Sequence, residues 1–206
     1  MGGGQIPGST DGHTGTAAVD DGTLPRIESP DPGPIGLDAG SGSTSTPNAG
    51  VVGFARRQHG SRVGDGECFA LADSALRAAR ARSASDYGSV AADADYVWGS
   101  AVTLSGLQPG DIIQMRDYRY DREVEVNNPD GSGSTDTSFE ERPHHTAVVE
   151  TVNGSGSVTV LEQNAPRGSA VRRSTLFFTN STTTAGRRTT TIRVQGTFWF
   201  YRPQAR

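Results

Sequence analysis

Apolar positions in the first half of the chain follow a helical spacing. In the stretch "GDGECFALADSALRAARAR", Phe69, Ala72, Ala75, Leu76 and Ala79 recur every three or four residues. This pattern predicts a helix over about residues 66–82. Asp65 and Gly66 precede it as N-cap candidates, and Glu67 in the first turn complements the helix dipole.

The second half of the chain is patterned as strands. "LQPGDIIQM" begins with a turn signal and predicts a strand over residues 111–116. The runs "HHTAVVETV", "GSVTVLEQN", "STLFFT" and "TIRVQGTFWFYRP" predict four more, separated by Gly, Asn or Ser clusters. A helix followed by consecutive strands indicates an α+β fold with an antiparallel sheet. The polar stretch 121–138 is predicted to be a loop that forms a rim of the cleft.

Composition divides the chain into a tail and one domain. Residues 1–50 contain 12 Gly, 6 Pro and 11 Ser or Thr, so they have too little apolar surface to offset the entropy of ordering. We therefore predict a disordered Gly/Pro/Ser/Thr-rich tail over 1–50. The remaining residues, 51–206, have the length of a single domain.

Charge and apolar run lengths exclude several classes of function. The net charge is -4 and the arginine pairs are scattered, which argues against a nucleic-acid binder. No apolar run approaches the roughly 20 residues that cross a bilayer, so no membrane partner is expected. No Sec-type signal is visible, which predicts a cytoplasmic protein or one exported by a non-Sec route.

The single cysteine, Cys68, lies where the predicted helix begins. One cysteine cannot form an intramolecular disulfide or a multi-cysteine zinc site. The first turn of a helix presents unpaired amides and the positive end of the dipole, which favour a thiolate. Cys68 is thus either a nucleophile or a small buried hydrophobic residue beside Phe69, and this stretch by itself leaves both open.

A nucleophilic thiol requires a base, and His145 is the favoured histidine. His13 lies in the predicted tail and His59 in a polar stretch. His144 and His145 both open the strand "HTAVVET", where alternation places His145 on one face with Ala147 and Val149. His144 remains the alternative base.

Two polar residues end the next predicted strand on one face. In "VTVLEQN", alternation aligns Glu162 and Asn164 with Val158 and Val160. If this strand pairs with the one that starts at His145, Glu162 would orient the imidazole and Asn164 would add a second hydrogen bond near the site. The alternative is a polar strand end that frays into solvent.

The motifs "VGDGECFALADSAL", "LQPGDIIQM", "HHTAVV", "VLEQN" and "FWFYRP" occur in an order that resembles the cysteine, histidine-dependent amidohydrolase/peptidase (CHAP) domain of the NlpC-like, papain-type superfamily. The resemblance spans about residues 52–204. It implies a papain-like fold with Cys68 as nucleophile, His145 as base, Glu162 as orienting group and Asn164 as a fourth polar member. It also implies a thiol protease or amidase that needs no metal or cofactor and cleaves amide bonds, with peptidoglycan or another peptide as the substrate.

Two other functions fit the same scaffold. A non-catalytic binding module would keep the CHAP-like fold and use the cleft for recognition. A delivered antibacterial toxin would use the same chemistry and have an immunity or inhibitor protein as a partner.

Overall fold

A computed structural model describes residues 47–206 of the chain. The predicted tail, 1–50, lies outside the described residues except for its last four, and helix α1 begins within those four. The elements are α1 (Asn48–Arg57), α2 (Cys68–Ala78), β1 (Ser100–Val102), β2 (Ile112–Asn127), β3 (Gly133–Gly154), β4 (Ser157–Glu162), β5 (Arg172–Phe177), β6 (Ser181–Ala185) and β7 (Arg188–Arg202), with short 3₁₀ turns at Ala84–Asp86 and Leu104–Gly106.

The strands form one antiparallel sheet in the order β1-β7-β2-β3-β4-β5, and β6 pairs with the outer part of β7. The predicted antiparallel sheet is confirmed, and the predicted helix that carries Cys68 in its first turn is confirmed in part. Strands far outweigh helices among the described residues, however, and only α1 and α2 represent the helical part of the α+β prediction.

Both faces of the central strands are buried, which explains why their sequences read as continuous apolar runs. On one face, α1 and α2 pack against Ile112, Val148 and Leu161, and we call this group the helix-side cluster. The neighbouring residues Ile113, Val149 and Val160 point to the opposite face, where they pack with aromatic residues in the far-side cluster. Each central strand therefore links two apolar layers.

The predicted loop over 121–138 is wrong, because most of this segment is strand. β2 continues to Asn127 and β3 begins at Gly133, so only a short turn separates them. Pairing is continuous from Asp121↔Phe139 to Asn127↔Gly133, and β7 pairs with the other edge of β2. Residues 133–138 are exposed and most of 121–127 are at least partly exposed, so polar side chains predominate although the backbone is paired.

Helix α2 is shorter than the sequence predicts, since it spans 68–78 rather than 66–82. Glu67 is the N-cap, and its amide donates a 3.0 Å hydrogen bond to Oδ1 of Asp65. Arg80 has a left-handed φ of 55°, which ends the helix. Cys68 is thus the first helical residue, at the end where backbone amides have no intrahelical acceptor.

Candidate active site

Cys68 is partly buried at the start of α2, with its sulfur next to the imidazole of His145. Burial by itself would raise the pKa of the thiol. The hydrogen bond and positive charge of His145, with amide hydrogen bonds from Thr146 and Phe69, outweigh burial and lower the pKa of Cys68. Cys68 is therefore in an environment that favours the thiolate.

His145 lies on β3 with only 4% of its surface exposed. Its Nε2 is 2.9 Å from Oε2 of Glu162, but the ring N–H has no acceptor in line among the described residues, so this contact is short and bent. With Nε2 directed at Glu162, Nδ1 is the nitrogen left for Cys68. Burial favours the neutral imidazole, yet the contacts with Cys68 and Glu162 raise the pKa of His145 to about 9.

Glu162 is the last residue of β4 and is fully buried. Burial would raise the pKa of its carboxyl group. The contacts with His145 and Arg142 prevail and hold the pKa at about 2. The buried group is therefore ionised at neutral pH, and it stabilises positive charge on His145.

Arg142 binds the far side of the Glu162 carboxylate. Its Nε donates to Oε2 at 2.9 Å and its Nη2 donates to Oε1 at 2.6 Å, which is the paired geometry that guanidinium and carboxylate groups favour. Arg142 was not among the residues that the sequence analysis selected.

His144 faces a different set of partners from His145. Its Nε2 lies 2.8 Å from the carbonyl oxygen of Ala94 and 3.2 Å from Nε2 of Gln114. Its ring packs edge-on against Tyr96, with 5.5 Å between the ring centroids. His144 therefore anchors the segment before β1 to the sheet, whereas His145 contacts both the sulfur and the carboxylate.

Asn164 lies beyond the end of β4, and its side chain makes its hydrogen bonds to Glu67 and Gly168 and not to His145. Its Nδ2 donates to Oε2 of Glu67 at 2.6 Å, and its Oδ1 accepts the amide of Gly168 at 2.6 Å. The left-handed φ of 63° at Asn164 breaks the alternation that the sequence analysis extended to it from Glu162. The structure thus brings Cys68, His145 and Glu162 together and leaves Asn164 as a residue of the cleft wall.

A cleft with a volume of about 860 Å³ opens over Cys68 and His145. Phe69 and Tyr96 form an apolar part of its wall, with ring centroids 5.0 Å apart. Acidic side chains contribute just before α2 and on β3, and arginines contribute from β3, from the loop between β4 and β5, and from the first residue of β5. A peptide-sized substrate would therefore reach the sulfur through a polar cleft with one aromatic wall.

The sequence profile of the AIM3/BBC1 cysteine proteinase-fold domain matches residues 41–183, more than two thirds of the chain. The chain belongs to this family. The matched range includes Cys68, His145 and Glu162, and it ends within β6. A comparison with curated proteins and one with solved structures found no match.

Membership supports the predicted papain-like fold of this cysteine proteinase-fold domain, but it does not single out the CHAP group. The motifs that suggested CHAP place a cysteine at a helix start and a histidine on a neighbouring strand. A cysteine proteinase fold requires the same placement, so these motifs indicate the fold more securely than the group within it.

Two residues that the sequence analysis did not select, Gln163 and Arg142, support the site of this cysteine proteinase-fold domain. The buried Gln163 side chain accepts the amide of Val63 at 3.0 Å and donates to the carbonyl of Glu67 at 2.6 Å, so it ties the residues before Cys68 to the end of β4. A glutamine between two polar residues gives no distinct signal. For Arg142, the following Pro143 is a signal, because proline within a strand favours an irregularity.

Among the described residues, no helix is both long and apolar enough to cross a lipid bilayer.

Proposed function

We propose that this protein is a thiol-dependent hydrolase of amide bonds, with peptide or peptidoglycan as its substrate. The observation that supports this most directly is the line of contacts from Cys68 to His145 to Glu162 at the floor of an open cleft. A cysteine with a lowered pKa beside a buried histidine and carboxylate is the arrangement that nucleophilic catalysis requires.

In the first half-reaction, the Cys68 thiolate attacks the substrate carbonyl carbon and a carbon–sulfur bond forms. The carbonyl oxygen becomes an oxyanion, which backbone amides at the start of α2 would stabilise. His145 gives its proton to the leaving nitrogen, the carbon–nitrogen bond breaks, and an acyl thioester remains on Cys68.

In the second half-reaction, a water molecule attacks the thioester carbon while His145 accepts a proton from that water molecule. The carbon–sulfur bond then breaks, so that the acid product leaves and the thiolate and imidazolium are restored. Glu162 remains ionised and keeps Nε2 of His145 engaged, which leaves the other ring nitrogen for the sulfur and the substrate.

Peptidoglycan is the proposed substrate because the sequence motifs resemble a group with many cell-wall hydrolases. The test is digestion of purified peptidoglycan and of a peptide panel, with new termini identified by mass spectrometry. We expect Cys68→Ala and His145→Ala to abolish turnover in folded protein, a loss of at least about 10³-fold. His144→Gln, the matched control, should retain much more activity.

The result that would contradict this proposal is a wild-type protein that cleaves neither substrate and whose Cys68 reacts with alkylating agents only as an ordinary thiol with a pKa of about 8.5. That outcome would favour the binding module on the same scaffold.

A further inference from the structure

Arg142 is a buried arginine whose side chain donates to four oxygen atoms. Two belong to Glu162, as described above. Nη2 also donates to Oε2 of Glu140 at 2.8 Å, and Nη1 donates to the carbonyl oxygen of Glu141 at 2.7 Å. Only 5% of Arg142 is exposed, so the guanidinium is fixed in position beneath the cleft.

A strand irregularity turns Arg142 toward Glu162. Arg142 and His145 are three residues apart on β3, and in a regular strand such residues face opposite sides. Their partners on β2 are Tyr118 and Met115, which are also three apart yet both pack in the far-side cluster. The alternation of side chains between the two faces is interrupted at Asp117, where φ is left-handed at 50° and the pairing of β2 with β7 shifts register. Arg142 and His145 can therefore contact one carboxylate.

The charges of these groups alternate from the protein surface to the sulfur. Arg142 is positive, Glu162 negative, His145 positive and Cys68 negative in the resting state. Tyr118 and Tyr120 of β2, which are neutral phenols at physiological pH, also face Arg142 and Glu162. Arg172 of β5 lies opposite Glu162 in the β4–β5 register, and its Nε donates to Oγ of Ser174. The buried charges therefore balance pairwise.

This balance matters during turnover. When His145 gives its proton to the leaving nitrogen, it becomes neutral, and Glu162 loses one of its two cationic partners. Without a second positive partner, the buried carboxylate would compete with the leaving nitrogen for the imidazolium proton. A permanent guanidinium charge prevents this transfer.

We propose that Arg142 is a positioning residue that keeps Glu162 ionised and correctly oriented throughout the catalytic cycle. The inference rests on the proposed function. A purely structural role for Arg142, in which it only fastens β3 to β4, would predict a loss of stability without a change in the protonation behaviour of Cys68 and His145.

The test follows alkylation of Cys68 by iodoacetamide as a function of pH, which needs no substrate. Cys68 is the only cysteine in the chain, so the labelled site is unambiguous. In Arg142→Met, we expect the rise in alkylation rate with pH to shift upward by about one pH unit, because Glu162 then takes up the proton of His145 and Cys68 loses the imidazolium that stabilises its thiolate. In a Glu162→Gln background, the same substitution should produce a much smaller shift.

Arg142→Lys is the second variant, since it keeps the charge and is less disruptive to folding. We expect its alkylation profile to stay close to that of the wild type, while kcat/KM on the identified substrate falls about tenfold because lysine cannot make the paired bonds. Equal kcat/KM in Arg142→Lys and the wild type would overturn the orientation part of the proposal.

Arg173→Met is a matched control. Arg173 makes the same paired contact with Glu150, at 2.6 and 2.9 Å, outside the site, and its loss should leave the alkylation profile unchanged. An Arg142→Met profile that coincides with the wild type would overturn the inference and leave the hydrolase proposal standing. A wild-type Cys68 that titrates as an ordinary thiol would instead overturn the hydrolase proposal.

Discussion

The reactivity of Cys68 comes from its neighbours. The imidazole of His145 and the amides of Thr146 and Phe69 stabilise negative charge on the sulfur and together overcome the effect of burial on its pKa. His145 in turn keeps its proton because Glu162 is buried and ionised behind it. At the scale of single residues, the site is a set of coupled ionisations in which each group fixes the charge of the next.

These ionisations predict a bell-shaped pH dependence of kcat/KM. Activity should rise with pH below the usual thiol range, because the pKa of Cys68 is lowered, and it should fall through about pH 9, where the imidazolium of His145 loses its proton. Steady-state kinetics on a cleaved peptide would measure both limbs. A descending limb near pH 6.5, the ordinary range of histidine, would contradict the charge state assigned to the resting site.

At the scale of elements, the irregularity in β2 determines which side chains reach the site. Gly196 on β7 lies opposite it with a left-handed φ of 96°, and a Cβ atom at this position would overlap the carbonyl group of Asp117. Close backbone approach therefore requires glycine here. Because Tyr118 pairs with Arg142, the interruption of side-chain alternation on β2 is matched on β3.

We expect Gly196→Ala to lower the free energy of unfolding by about 2 kcal/mol or more, since it adds both a clash and an unfavourable backbone conformation. Urea unfolding would measure the loss. Gly88→Ala is the control, because Gly88 has an ordinary φ and open space around its Cα. Equal stability of the two variants would show that the strands accommodate a side chain at position 196.

At the scale of the whole molecule, the nucleophile and its base belong to different layers. Cys68 is on α2, whereas His145 and Glu162 are on the sheet. The helix-side cluster holds these layers together through buried residues that include Leu76, Trp98 and Val148. The geometry of the site therefore depends on packing between helix and sheet.

Leu76→Ala should destabilise the described domain by about 2–5 kcal/mol, the usual range for a fully buried leucine. We expect one unfolding transition in urea, at which tryptophan fluorescence and the rapid alkylation of Cys68 change together. If rapid alkylation disappeared at a lower urea concentration than the fluorescence change, α2 would detach from a folded sheet. That result would contradict a single cooperative unit.

The local features of the fold follow from the amino-acid sequence. Helical spacing from Phe69 to Ala79 and the β-branched runs depend on neighbouring residues only, so the helix that begins at Cys68 and the strands that carry His145 and Glu162 could be predicted. Alternation also separated His145 from His144 within one strand. The hairpin over 121–138 was wrongly predicted to be a loop. Its polar composition indicates that the side chains are exposed, but it gives no information on whether the backbone is paired.

Which polar groups come into contact depends on long-range packing. Successive side chains stop alternating between the two faces of a sheet where the backbone φ is left-handed, and this occurs at Asp117 and at Asn164. The first irregularity accompanies the turn of Arg142 toward Glu162, and the second directs Asn164 to Glu67 and Gly168 instead of to His145. Contacts between residues far apart in the chain set these conformations. The hydrophobic pattern of a short segment depends only on adjacent residues, so it cannot predict them.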